Sequence, residues 1–139
     1  MKFEILSEQA IPQISHIVAT VQSQLSLETI ERRLIEMFGY ANYRCFGLFD
    51  ETKLIAICSG WILTKIYSGK QLELDNFAVD ENYRSQGIGK QFEIEINNWA
   101  KDNGIESIEL NTYVANSGSH KFYFNQGYKI IGYHFQKDS

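Results

Sequence analysis

The sequence predicts an α+β fold, a mixed central sheet flanked by helices, in the order β-α-α-β-β-β-α-β-α-β. Three observations predict it. Two apolar stripes of helical period lie near the N-terminus. A long run of strand-forming residues follows, broken only by turn sequences. After a glycine-rich knot, helix-like and strand-like patterns alternate to the end. Hydrophobic residues make up 44% of the 139 and there is one proline, which is globular composition for a single domain over residues 1–139. A chain near this length buries roughly 70% of its unfolded surface, enough for a core without staples.

The elements follow in order. "KFEILS" reads as a first strand. In "IPQISHIVATVQSQL", Ile14, Ile17, Val18 and Val21 form one helical stripe, and Pro12 suits the first turn, where its missing N–H costs nothing. In "SLETIERRLIEMFG" the stripe is Leu27, Ile30, Leu34 and Phe38, with Ser26 and Thr29 as candidate caps and Gly39 as the stop. "YRCFGLFDETKLIAICSGWILTKIY" predicts a hairpin turning at "DETK". "QLELDNFAVD" is the next strand, with Glu73, Asp75, Phe77 and Val79 assigned to one side by strict alternation. Beyond the knot, Ile88, Phe92, Ile96 and Trp99 share a helical face that ends at Gly104. "SIELNTYVA" predicts a strand, "NSGSHKFYFNQG" a short helix closed by Gly127, and "YKIIGYHFQK" a final strand.

The knot is "NYRSQGIGKQ", Asn82 to Gln91. It follows a strand and opens a helix. Glycines there let backbone N–H groups face outward without Cβ obstruction, and the first helical N–H groups have no internal partners. The helix dipole is positive at the same end. Together these make an anion cradle, most naturally for phosphate, with Arg84 and Lys90 at its edges. The alternative is an ordinary glycine-rich turn. A Walker loop does not fit, since Arg84 stands five before Gly89 and Gln91 follows Lys90. A Rossmann fingerprint does not fit either, since Phe92 takes the place of its third small residue.

Residues Val79 to Lys90, "VDENYRSQGIGK", resemble the acetyl-coenzyme A motif of the GNAT N-acetyltransferases, [QR]-x-x-G-x-[GA], with Arg84, Gly87 and Gly89 at its defined positions. A second block, "NSGSHKFYFNQGY", is similar to the family pattern N-x-x-A-x-x-F-Y-x-x-x-G-[FY] through Asn116, Phe122, Tyr123, Gly127 and Tyr128. Ser119 replaces the usual alanine. The element order matches the family fold, so the resemblance covers essentially the whole chain.

The resemblance implies acyl transfer from acetyl-coenzyme A to an amine, by direct attack in a ternary complex. The pyrophosphate would rest on the N–H groups of Ser85, Gln86, Gly87, Ile88, Gly89 and Lys90, and the pantetheine arm on the backbone of Phe77, Ala78 and Val79 and on Asn116. Asn116 reads equally as a helix cap. Tyr123 matches the tyrosine beside the coenzyme sulfur, the acid for the leaving thiolate. Glu73 and Asp75 are the candidate bases, Glu73 standing where several members carry one; either also reads as a solvated carboxylate that draws a cationic acceptor. The base position on the strand after the helix reads Asn111, which cannot serve. Phe38, Tyr40 and Trp61 are candidates for the acceptor pocket, and His120 reads as a solvent-facing helix residue. The acceptor is a small cationic amine or a protein amino group. The other class is a non-catalytic acyl-coenzyme A sensor or interaction module on the same fold.

Composition narrows the partners. Net charge is −4, which argues against nucleic acid. No stretch approaches about 18 apolar residues, so no membrane span is expected. Cys45 and Cys58 lie in separate apolar runs and read as buried thiols of a cytoplasmic protein. His16, His120 and His134 lack ligand spacing, so no metal is expected. A homodimer is compatible with everything above.

Overall fold

The structure, a computed structural model, describes residues 1–139. Two compact units divide the chain, Met1–Glu109 and Leu110–Ser139.

The first unit carries the sheet. Strands β1 (Lys2–Ile5), β2 (Tyr43–Asp50), β3 (Lys53–Lys65), β4 (Gly69–Val79) and β5 (Ser107–Leu110) lie side by side in chain order. The first three pairings are antiparallel. Helix α3 (Ile88–Asp102) carries the chain back, so that β5 joins the far edge of β4 and the sheet is mixed. The hairpin forms where the sequence places it, with Glu51 at φ 55 in its turn.

Helices α1 (Ile11–Val21) and α2 (Leu27–Phe38) cover one face. Ile14, Ile17, Val18, Ile30 and Leu34 from these helices form one buried cluster with Tyr43, Cys45, Ile57 and Ala78 of the sheet. Helix α3 covers the other face. There Phe46 meets Trp99 at 5.0 Å, and Phe92 packs near Phe77 at 5.4 Å. Gly60 makes this side possible: a Cβ there would meet Phe46 at 2.7 Å and Leu72 at 2.8 Å. Burial of Phe46, Phe92, Leu48 and Leu72 is complete, and area removed from water is the main favourable term in such a core.

Ser26 caps α2, its Oγ accepting the Thr29 N–H at 3.1 Å. Ser26→Ala is expected to lower stability by about 1 kcal/mol. Thermal unfolding checks this as a drop of a few degrees in Tm.

In the second unit, α4 (Ser117–Asn125) forms as expected and Gly127 follows it at φ 92. Two expectations need correction. The strand predicted through Ala115 stops at Leu110, and the final strand over Tyr128–Lys137 does not form. Alternation persists in both stretches, but a strand exists through its ladder, and these residues have none. Ile131, Tyr133 and Phe135 are exposed instead.

Candidate active site

Strand β4 is not regular. Ser59 faces Asp75, but Ile57 faces Ala78, so Asn76 and Phe77 together oppose Cys58 alone. This is a β-bulge, with Asn76 in the left-handed region at φ 55. One extra residue flips every later side chain to the other face. Glu73 and Asp75 share the α1–α2 face with Ala78, while Phe77 reaches Phe92 on the α3 face and Val79 follows Ala56 there. The expected grouping of Glu73, Asp75, Phe77 and Val79 therefore breaks after Asp75. The doublet Asp75-Asn76, two polar residues in an alternating strand, was the signal for it.

The bulge also decides which backbone groups are presented. The Asp80 N–H donates to the Ile55 carbonyl at 2.7 Å. Alternation along an antiparallel ladder then turns Val79's N–H and C=O away from β3 and Ala78's toward it. The short β5 starts level with Lys70, whose carbonyl accepts the Glu106 N–H at 2.7 Å. The strand ends at Leu110.

The chain next makes a short 3-10 turn, Glu81–Tyr83, capped by the Asp80 carboxylate, which accepts the Asn82 N–H at 2.9 Å. Ser85 and Gly87 both take positive φ, 63 and 77. Gly87 is the residue before α3 and no side chain caps that helix. Gln91 is the first to bond back, its N–H donating to the Gly87 carbonyl at 3.1 Å. The preceding N–H groups of the first turn belong to the set that a helix leaves without internal partners. A Cβ on Gly87 would meet nothing within 4 Å, so this turn is open on its outer side. Residues Arg84 to Gly87 and Lys90 are exposed, Gly89 is partly so and Ile88 is buried.

Arg84 does more than add charge. Its Nε donates to the Val79 carbonyl at 3.1 Å and its Nη2 to Thr20 Oγ1 at 3.3 Å. The guanidinium ties the loop to the end of β4 and to α1. Thr20 lies 64 positions away, so no sequence pattern announces it.

Glu73 stands directly across from Trp61. Trp61 packs on Tyr43 at 4.8 Å and near Tyr40 at 6.0 Å, and Phe38 meets Tyr43 edge-on at 5.1 Å. The expected aromatics thus line one wall beside Glu73, with Tyr43 as a member that sequence reading missed. Burial raises the Tyr43 phenol far above its ordinary range, although its bond to Ser59 at 2.7 Å works against this. Tyr67 and Glu109 were also missed. The Tyr67 hydroxyl donates to the Glu109 carboxylate at 2.6 Å. That bond raises its pKa, and the charge of Glu73 adds a smaller contribution. The thiols are inert: burial pushes Cys45 up to about 12 and Cys58 well above its ordinary value.

In the second unit, Asn116 is the cap of α4, its Oδ1 accepting the Ser119 N–H at 3.2 Å. The Tyr123 ring packs edge-on against Phe122 at 5.2 Å and Tyr128 at 5.4 Å. His120 is half-buried rather than solvent-facing, with Nε2 2.9 Å from the Tyr113 carbonyl. No group of three or more His, Cys, Asp or Glu is placed to hold a metal ion, and no helix is long and apolar enough to cross a membrane.

Comparison with known proteins gives four concordant results. The profile of the Acetyltransferase (GNAT) family matches residues 11–128. The uncharacterized N-acetyltransferase YhdJ of Bacillus subtilis is 26% identical over 122 residues, covering 87% of this chain and 86% of that protein. A putative acetyltransferase from Agrobacterium tumefaciens superposes with a TM-score of 0.85 at 14% identity over 100% of both chains. An aminoglycoside N-acetyltransferase, AAC(6')-Iy, solved in complex with CoA, superposes with a TM-score of 0.84 at 12% identity, covering 99% of this chain and 93% of that one.

Proposed function

Because this chain belongs to the GNAT acetyltransferase family, we propose that it moves the acetyl group of acetyl-coenzyme A to an amine by direct attack, as one domain over residues 1–139. The observation that carries this reading is the uncapped start of α3 behind left-handed Gly87, reached from the end of β4, where the bulge turns the Val79 N–H away from β3. Free N–H groups at the positive end of a 15-residue helix suit a pyrophosphate. A strand edge with outward backbone suits an arm that pairs like a strand. The CoA complex of AAC(6')-Iy supports the same ligand.

The roles follow from chemistry. Acetyl-coenzyme A supplies the thioester. Ser85 to Lys90 hold the pyrophosphate through backbone N–H groups, with Lys90 adding charge. Val79 directs its N–H outward and is the backbone donor for the thioester carbonyl, where charge develops during attack. An alkylamine with pKa near 10.4 is neutral in roughly one molecule in a few thousand at pH 7, so a base must take its proton. Glu73, beside the aromatic wall, takes that role and also attracts a cationic acceptor. Tyr123 is assigned as the acid for the thiolate on its place in the second motif. With Cys45 and Cys58 buried and protonated, neither cysteine offers a nucleophile for a covalent acyl-enzyme. The acceptor is a small cationic amine or a protein amino group, and the protein works in the cytoplasm.

Calorimetry with acetyl-coenzyme A tests the cradle. Saturable heat that weakens as salt rises is expected. No heat and no thermal shift at millimolar ligand would sink the reading. Thiol release in a screen of amines tests the chemistry: binding without release for any amine would favour a sensor module.

A further inference from the structure

Asp75 and Glu73 look interchangeable in the sequence, yet only Asp75 adjoins the bulge. The peptide plane joining Asp75 to Asn76 is held from both sides. Its carbonyl, on Asp75, has the Cys58 Sγ at 3.6 Å, and Cys58 is the residue that faces the bulge alone. Its N–H, on Asn76, donates to Asp75 Oδ1 at 2.9 Å. Cys58 is completely buried and its Sγ also lies 3.4 Å from the Ser59 carbonyl, so the thiol is confined there. Asn76 is left-handed, which a non-glycine residue keeps only when its surroundings hold it. A flip of this plane would release Asn76 and distort the bulge.

The bulge matters for the reaction because of parity. In the register before it, Val79 would face Ile55 and its N–H would point into β3. The extra residue turns that N–H away from β3. We infer that Asp75 is a positioning residue and not a base: its carboxylate, with the Cys58 thiol, locks the peptide plane that aims the Val79 N–H, and Glu73 alone removes the proton. This inference rests on the reading that β4 receives the thioester.

The test uses two substitutions at an exposed position, so folding is not at stake. Asp75→Ala removes the acceptor of the Asn76 N–H. It should lower kcat about ten- to a hundredfold, the scale of a misplaced reacting group, with the KM for the amine little changed. Asp75→Asn keeps an oxygen at the same place and cannot act as a base. It should recover most of that loss and keep the acid limb of the pH–rate profile. If Asp75→Asn is as poor as Asp75→Ala and loses that limb, Asp75 is the base and the inference falls. Amide hydrogen exchange reads the lock without turnover. The Asn76 amide should be protected in wild type and in Asp75→Asn, and fast in Asp75→Ala. Equal exchange in all three overturns the lock. Failure to bind acetyl-coenzyme A would instead overturn the reading beneath it, leaving the exchange result to stand by itself.

Discussion

Tyr123→Phe is expected to lower turnover by roughly ten- to a thousandfold, a general-acid magnitude, while coenzyme affinity should stay near that of wild type. The substitution removes one hydroxyl and keeps the ring. Its packing against Phe122 and Tyr128 survives, and so does the backbone bond from the Tyr128 N–H to the Tyr123 carbonyl at 3.0 Å. A thiol leaves with a pKa near 8.5, so its departure gains from an acid without depending on one entirely. Lower kcat with unchanged binding marks an interaction made mainly in the transition state. Single-turnover kinetics with a good amine acceptor check it. Full turnover under conditions where chemistry limits the rate would remove Tyr123 from the mechanism.

The second large effect belongs to Gly87. Gly87→Val should abolish coenzyme binding, read as loss of calorimetric heat. Two causes add. The side chain would project into the open space proposed for the pyrophosphate, since nothing of the protein lies within 4 Å of that Cβ. The backbone at φ 77 is also one that L residues resist, costing about 1–2 kcal/mol, and more for a β-branched residue. Such a loss is a fraction of a typical domain's stability of about 5–15 kcal/mol, so circular dichroism should still report a folded chain. Gly87→Ala separates the causes, carrying most of the backbone penalty and little of the bulk. Unimpaired binding by Gly87→Val would show that the ligand does not approach this turn.

Local signals made most of the first unit readable. The stripes of α1 and α2, the cap at Ser26 and the hairpin all depend on neighbours a few residues away. The two motifs were readable for the same reason. The bulge was not read, because strict alternation was carried through Asp75-Asn76, where two polar residues in succession already broke it. The grip of Arg84 on Thr20 and the pairing of Tyr67 with Glu109 join residues far apart in the chain, and only folding brings them together. The missing final strand is the opposite failure. Ile131, Tyr133 and Phe135 alternate well, but alternation describes a side chain's preference for one face and says nothing about a hydrogen-bonding neighbour.

The burial of Cys45 and Cys58, at 1% and 0% exposure, has a practical consequence at the bench. Acetyl transfer liberates one coenzyme thiol per turnover, and chromogenic disulfides report such thiols by colour. A folded chain with both sulfurs sealed and protonated adds no background to that colour, so even slow acceptors can be ranked against a flat baseline. The same reagent becomes an internal alarm. Any variant that opens its core during the assay would announce itself as extra absorbance that does not depend on the amine, and a damaged fold could be told apart from a damaged site in one cuvette.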